Sequence, residues 1–353
     1  MNKQFKNVKS IGLKIRFKGN GCVNWDSNEA RFALMNLGLV KSKLNENIKV
    51  AKREILNIGD EPVFKYKVSS ECIGRGMYEN VIPAENQAIS TVPSVLYSAI
   101  ANWAYISRGY MFTRGEGKPA LKKKGCIHLC DAVEVGNPRK QVVMEVHSNK
   151  SSREVSTEDG AKGSTSFYQQ ENVGECIYES LGFIDLGELQ FIPDDPTYDR
   201  VGLALFDECA EKKVFLSALA QNFPSMSGKD FGYYYSEGSY TKDEWGEHGI
   251  KLSKEAVNEI VKNIIKAILN VNILRRHATF RTESVEIEVV TDGGSEFVEV
   301  DLGNIDSFSF EYADKYIESD EEKIKANKVM FDKYMNEAKA KKSSKKENAK
   351  SNE

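Results

Sequence analysis

Between residues 8 and 18 the chain alternates strictly, with Ile11, Leu13, Ile15 and Phe17 on one side and Lys14, Arg16 and Lys18 on the other. A period of two is the mark of a strand with one buried and one exposed face. Gly19 and Gly21 are expected to end it, and the chain turns into CVNWDS. Residues 90–112 carry apolar positions at helical spacing. The stretch 114–166 is rich in Gly, Ser, Lys and Glu, with a short strand-like VVMEV at 142–146, and is expected to form a long, partly mobile insertion.

Strands are predicted again at 183–192 (FIDLGELQFI) and 201–206 (VGLALF), around a PDDPTYDR connection. Residues 223–251 show no clear period but gather aromatics, among them Phe223, Phe231, Tyr233, Tyr234, Tyr235, Tyr240 and Trp245. The clearest helix spans 254–276, where Val257, Ile260, Val261, Ile264, Ile265 and Ile268 recur every three or four residues. Ser253 is its candidate N-cap, and Arg275 and Arg276 lie where the helix dipole favours cations. VEIEVV (285–290) and FVEVDL (297–302) flank TDGGSE, the signal of a tight hairpin. Beyond about residue 317 a charged helix gives way to a Lys/Ser/Asn tract with little to bury, expected to be disordered. Helices and strands without a regular βα alternation predict an α+β domain over 1–317 rather than a doubly wound sheet.

Composition narrows the class. The chain has 353 residues, 41% of them hydrophobic and 10% aromatic, enough for a sizeable core. No run approaches the ~18 apolar residues of a membrane span, and the N-terminus lacks the apolar core of a signal peptide, so a cytoplasmic protein with no membrane partner is expected. The six cysteines are too sparse for a disulfide framework and are expected to be reduced thiols. Cys126, His128 and Cys130 invite a metal reading, but Cys-x-His-x-Cys does not close a tetrahedral site alone, so no metal and no cofactor are expected. Net charge is −3, yet the charge is uneven: residues 114–124 (RGEGKPALKKK) are basic and 283–322 are acidic. There is no P-loop, Rossmann fingerprint, nucleophile elbow or triad spacing, and no catalytic residue is assigned.

Several segments, read in order, resemble one family. They are GNGCVNWDS after the first strand, VSSECIGRGMYEN (68–80), RGYMF (108–112), GAKGSTSFY (160–168), LGFIDLGELQFIPDDPTYDR (181–200) and HGIKLSKEAVNEIV (248–261). Together they are similar to the Cas-seven family of CRISPR backbone subunits, of the type I-F variant kind, with type IV backbone subunits a close neighbour. The resemblance implies an RRM-like (ferredoxin-like) palm, a finger-like insertion at about 114–166 and a thumb-like loop at about 223–251. It also implies partners: CRISPR guide RNA, target DNA paired to that guide, further copies of the chain and other effector subunits.

Such a subunit must hold any guide sequence, so it should grip phosphate and ribose and leave base edges free. Gly19 and Gly21 would let backbone amides approach a phosphate, followed by Asn24 as a hydrogen bonder and Trp25 as a stacking ring. Ser69 and Ser70 stand where a strand gives way to a helix, with Arg75 one turn in, an arrangement suited to an anion. Lys118, Lys122, Lys123 and Lys124 form the densest basic run before the tail and could reach a strand by counterion release. Ser164, Thr165, Ser166 and Phe167 could contact ribose, phosphate and base.

Each of these has a plainer alternative: a glycine turn with a core tryptophan, a serine N-cap with a solvated arginine, a solvated lysine run, a linker entering a strand. Two rival functions also stand beside the backbone role. Asp26 in NWDS occupies a place comparable to the aspartate with which related subunits cut target RNA, although strand-end Asp is also a common turn former. A generic interaction protein would instead use the acidic 283–322 stretch.

Overall fold

The computed structural model describes residues 3–26, 28–39, 49–59, 61–79, 81–82, 93–112, 120–150, 165–193, 202, 210–227, 230–236, 247–275 and 277–318. Its centre is a ten-stranded sheet. The spine is β1 (Lys3–Asn20), far longer than the predicted 8–18, because antiparallel partners lie along it on both sides. On one side runs β10 (Glu175–Asp185), in register from Ser10 opposite Asp185 to Asn20 opposite Glu175. On the other runs β15 (Ala278–Thr291), with register shifts between Val8 and Ser10 and between Arg16 and Phe17. Beyond β15 come β14 (Asn272–Arg275) and β16 (Gly294–Val300), while β17 (Phe308–Tyr312) pairs parallel with the start of β1. On the far side of β10 lie β6 (Ile127–Leu129), β7 (Ala132–Glu134), β3 (Glu61–Val68) and β2 (Arg53–Ile58).

The alternation read from residues 11–17 is realised literally. Ile11, Leu13, Ile15 and Phe17 are all buried, and they face Val285, Ile287 and Phe280 of β15 and Tyr178 of β10. Helices pack on that face. α2 (Ser70–Tyr78), α4 (Trp103–Arg108) and α7 (Lys254–Leu269) pack there; in the chain α1 (Asn28–Asn36) precedes α2, and α3 (Pro93–Ile100) precedes α4. In α7 Val257, Ile260, Val261, Ile264, Ile265 and Ile268 are fully buried, and Ser253 caps the helix by accepting from the Ala256 amide at 3.1 Å. Burying these six side chains supplies on the order of 10 kcal/mol before entropy is charged against it.

Several expectations need correction. The helix predicted to 276 stops at Leu269, because Ile273 opposite Phe280 finds a free sheet edge and 272–275 pair with β15. The segment 183–192 is not one strand. β10 ends at Asp185, whose carboxylate caps the one-turn α5 (Leu186–Leu189) at 3.0 Å through the Glu188 amide; β11 (Phe191–Pro193) then enters another sheet. Asp-Leu-Gly-Glu is a capping-box pattern inside an apolar run. Of the stretch 90–112, the described residues from 93 on form α3, α4 and then β4 (Tyr110–Phe112), which pairs with β5 (Leu121–Lys123). Residues 114–166 are therefore not one long loop: besides β5, both β6 and β7 fall inside that range and belong to the main sheet. β8 (Met144–Lys150) and β9 (Thr165–Glu171) form a hairpin separate from the main sheet.

The aromatic stretch 223–251 likewise contains strands. β12 (Phe231–Ser236) and β13 (Glu247–Lys251) form a small sheet with β11 and β18 (Tyr316–Glu318), preceded by α6 (Ala210–Asn222). Phe191 stacks on Tyr316 at 4.2 Å and meets Tyr234 edge-on at 6.2 Å. The predicted hairpin is present with a two-residue Asp292–Gly293 turn, joining Thr291 to Gly294. Apart from Gly202, the strand expected at 201–206 lies outside the described residues, as does the chain after Glu318.

Candidate nucleic-acid interface

Three segments far apart in sequence meet at the end of β1: the turn 21–26, the start of α2 and the turn joining β14 to β15. Gly21 has φ +73, and a Cβ there would sit 2.5 Å from the His277 carbonyl oxygen, so only glycine lets the two backbones pass. Its amide donates to the Gly174 carbonyl at 2.9 Å and is spent on the fold, not held open for a phosphate. Gly19 lies within β1, where an added Cβ would press to 2.9 Å on the Tyr178 ring. Both glycines answer to packing.

The fold brings Asn24 against the second motif. Its Nδ2 donates to Ser69 Oγ at 2.7 Å, and that oxygen also accepts from the Cys72 amide as the N-cap of α2. The Ser70 amide, expected to be open to an anion, donates to Asp131 at 2.9 Å, and Asp131 pairs with Lys67 at 2.9 Å. A carboxylate of the chain thus fills the anion position at this helix end. Burial alone would raise the Asp131 carboxyl, but the Ser70 amide and the Lys67 ammonium outweigh it and hold it below its ordinary value. Trp25 is half-buried, packs on the core and bridges to Ala51 rather than lying on the sheet surface.

What the site does expose is guanidinium. Arg75 sits in the last turn of α2, not near its start, and is exposed; Arg275, read from sequence as a helix-terminal cation, is exposed on β14. Both act on the Cys72 thiol between them: burial raises it, while the Asn24 hydrogen bond and the charges of Arg275 and Arg75 pull it back. Along the same helix a cleft of about 450 Å³ is bounded by Ser70, Arg75, Arg108 and His128. His128 stacks on the exposed ring of Phe183 at 4.6 Å. Neither Arg75 nor Arg108 has an ion-pair partner among the described residues. Basic groups beside an aromatic platform can hold a sugar–phosphate chain and stack a base. Arg108, His128 and Phe183 were not singled out as site residues from sequence, although Arg108 opens the RGYMF segment and could have been.

The open face of the sheet is not a second basic surface. Lys14 and Arg16 of β1 are interleaved with Glu179 of β10 and Glu286 of β15, and Lys18 pairs with Glu175 at 2.9 Å. The lysine run also divides. Lys123 is buried, its Nζ donating to the carbonyls of Glu188 at 3.1 Å and Lys124 at 3.3 Å, and so cannot meet a phosphate without unfolding the site. Lys124 lies 3.6 Å from the Glu188 carboxylate, and Lys122 is half-buried and already engaged. Thr165, Ser166 and Phe167 lie in β9, opposite Lys150, Asn149 and Ser148, in the separate hairpin and not in the cluster around Asn24. Lys118 and Ser164 lie outside the described residues. Cys126 is buried and Cys130 exposed, and among the described residues no group of His, Cys, Asp or Glu is arranged to hold a metal ion.

The fold is a mixed α/β body dominated by one large, mostly antiparallel sheet, with an arginine-bearing cleft along α2. Over residues 7–318 the chain matches the family described as "Type I-Fv CRISPR-associated protein Cas7fv-like", and it belongs to that family. The match also favours the type I-F variant over the type IV neighbour. Two solved structures resemble it, each over 80% of this chain. One, described as "CRISPR RNA-guided surveillance complex", has 11% identity, a TM-score of 0.35 and 70% of its own chain covered. The other, "CRISPR RNA-guided surveillance complex, pre-nicking", has 9% identity, a TM-score of 0.36 and 77% covered. No curated protein matches the chain. Among the described residues no helix is long and apolar enough to cross a membrane.

Proposed function

We propose that the chain is a non-catalytic backbone subunit that polymerises along a CRISPR guide RNA, grips its ribose–phosphate chain without reading sequence, and presents the bases to target DNA. Family membership supports this reading, and the observation that carries it at the residue level is that the exposed Arg75 of α2 and Arg275 of β14 both act on the Cys72 thiol, which also accepts a hydrogen bond from Asn24. Guanidiniums on a body of net charge −3 concentrate positive potential at one place, which suits a polyanion bound by a defined edge rather than by the whole surface.

In this reading the central sheet with α2 and α7 on one face is an RRM-like palm, the β8–β9 hairpin is the finger-like element and β12–β13 belong to the thumb. Partners are the guide RNA, target DNA, neighbouring copies and other effector subunits. Asp26, whose amide donates to the Val50 carbonyl at 2.9 Å, serves as a turn residue and not as a nuclease group.

The test is coexpression with a CRISPR array, followed by the absorbance ratio of the purified protein and sequencing of bound RNA. Repeat-derived guides are expected. A nucleic-acid-free monomer would refute the reading, and cleavage of matching RNA abolished by Asp26→Ala would replace it with the enzymatic one.

A further inference from the structure

The face of the central sheet opposite α2 and α7 carries a pattern that the proposed function does not use. Residues directly opposite one another on neighbouring strands share a face, and one such row runs Phe297 of β16, Glu288 of β15, Gly12 of β1 and Phe183 of β10. The two rings at its ends are 62% and 44% exposed. Gly12 leaves the middle of the row without a side chain, and the Glu288 carboxylate leans into that space, its Oε2 3.2 Å from where a Cβ would stand. The next row adds Glu299, Glu286, Lys14 and the exposed Leu181. Three carboxylates thus stand against one ammonium, and among the described residues none of the four is in an ion pair.

Such a surface selects its occupant. Nucleic acid is repelled by the carboxylates, and a purely apolar segment leaves them uncompensated. A segment carrying apolar groups and cations together satisfies both. The chain itself supplies one. Residues 323–346 hold nine lysines against two acids, Asp332 and Glu337, with Val329, Met330, Phe331, Tyr334 and Met335 in their midst. In an extended chain Phe331, Lys333 and Met335 point the same way and span about 14 Å, the width of three strand spacings, which is the separation of Phe297 from Phe183 along the row.

The segment also reaches. Tyr312 pairs with Val8, and Val8 pairs with Thr291 at the tip of the β15–β16 hairpin, so the end of β17 is two strands, about 10 Å, from that tip. Glu318 is six residues on, within about 20 Å of Tyr312, and Glu288 is about 10 Å along β15 from Thr291. The thirteen residues from Glu318 to Phe331 extend to about 44 Å, enough to cover the whole path.

We propose that the lysine-rich tail segment 323–346 docks on this face of its own chain, with Phe331 against Phe297, Lys333 over Glu288 and Gly12, and Met335 against Leu181 and Phe183. The tether holds the tail at an effective concentration of about 1 mM, so a Kd of about 0.1 mM keeps it docked about nine-tenths of the time. The inference does not depend on the RNA-binding reading. Phe183 also flanks the arginine cleft, so a strand stacked there and a docked tail exclude each other.

The test uses the full chain freed of nucleic acid and a zero-length carbodiimide, which joins ammonium to carboxylate only where they touch, with peptides mapped by mass spectrometry. Links from Lys333 or a neighbouring tail lysine to Glu286, Glu288 or Glu299 are expected, and within one chain when light and heavy-isotope protein are mixed. Trypsin should cut after the tail lysines about tenfold faster once Glu286→Gln, Glu288→Gln and Glu299→Gln are combined. Wild type should show the same gain in about 1 M salt, where screening acts within ~3 Å. Phe331→Ser with Val329→Ser changes the tail alone and should speed cleavage equally, so the result does not hinge on how the sheet tolerates substitution. Equal rates in wild type and both variants, or links only to carboxylates elsewhere, overturn the docking. Links only between heavy and light chains give the face to a neighbouring copy's tail, and protection that appears only when RNA is added gives the tail to the nucleic acid; either result overturns it as well.

Discussion

The sharpest energetic prediction concerns the base of the β8–β9 hairpin, where a charge pair is almost sealed from water. The Glu171 side chain is fully buried and that of Arg53 is 3% exposed, and the two are directly paired. Glu171 also accepts from the Ala51 amide at 2.8 Å and from the Tyr66 hydroxyl at 2.6 Å. Arg53 lies over the Phe64 ring at 4.6 Å, and its Nη1 has no hydrogen-bond partner among the described residues. Glu171→Gln keeps the shape but removes the anion and turns an amide –NH2, itself a donor, toward donors that need an acceptor. It therefore strands a guanidinium whose hydrogen bonding is already incomplete. Breaking a buried pair from one side costs about 3–5 kcal/mol, a large share of the roughly 5–15 kcal/mol that folded domains possess. Urea unfolding followed by circular dichroism should show that loss as a lower midpoint at unchanged slope. Amides of β8 and β9 should exchange faster, since Glu171 joins their hairpin to β2 and β3. Arg53→Met combined with Glu171→Leu should recover most of the stability, because burying neither charge is commonly neutral or better. A Glu171→Gln cost under about 1 kcal/mol, or a double variant worse than the single, would refute this account of the pair.

Other consequences can be measured independently. Gly21→Ala forces φ +73 on a side-chain-bearing residue and drives its Cβ onto the His277 carbonyl, so about 1–3 kcal/mol of stability should be lost in thermal unfolding. Arg75→Ala and Arg275→Ala should each weaken RNA binding across all sequences and reduce the slope of log K against log salt by about 0.7, the value for one phosphate on a single strand; unchanged slopes would remove both from the interface. Lys123→Met should leave RNA affinity within about twofold, since the ammonium it deletes is buried, whereas a larger loss would mean the lysine reaches the ligand. Asp131, held below the ordinary carboxyl value, binds protons less readily folded than unfolded. It therefore stabilises the protein above about pH 4 and ceases to as acid protonates it. Asp131→Asn should cost stability at pH 7, with the gap to wild type closing in acid; a gap independent of pH would assign the loss to packing.

How far the fold was legible depended on how local its causes were. The alternation in β1, the stripe of α7 with its Ser253 cap and the Asp292–Gly293 turn were all readable, because periodicity, capping and turn chemistry act within a few residues. The end of α7 was misplaced by seven residues because Asn272–Arg275 continue a helix-compatible composition, and only the free edge of β15 makes them a strand. The insertion was overestimated for the same reason: Ile127–Leu129 and Ala132–Glu134 are too short to show a period, and β10 and β3 supply the pairing that orders them.

At the site the balance was different. The residues of the 19–25 and 69–75 motifs were legible as motifs, and Asn24 and Ser69 do touch. Their roles were not. Whether a glycine amide is open or spent, whether a helix start is free or capped by Asp131, and whether a lysine is solvated or buried like Lys123 are decided by groups 60 or more residues away. The sequence alone determined the long strand, the α7 helix, the tight hairpin and which short motifs could bind an anion, because those follow from side-chain chemistry and spacing. The tertiary structure alone decided which charges remain uncompensated. Electrostatic screening and hydrogen-bond satisfaction depend on distance in space, and Arg75, Arg108 and Arg275 stand exposed while better-placed candidates in the chain are consumed by the fold.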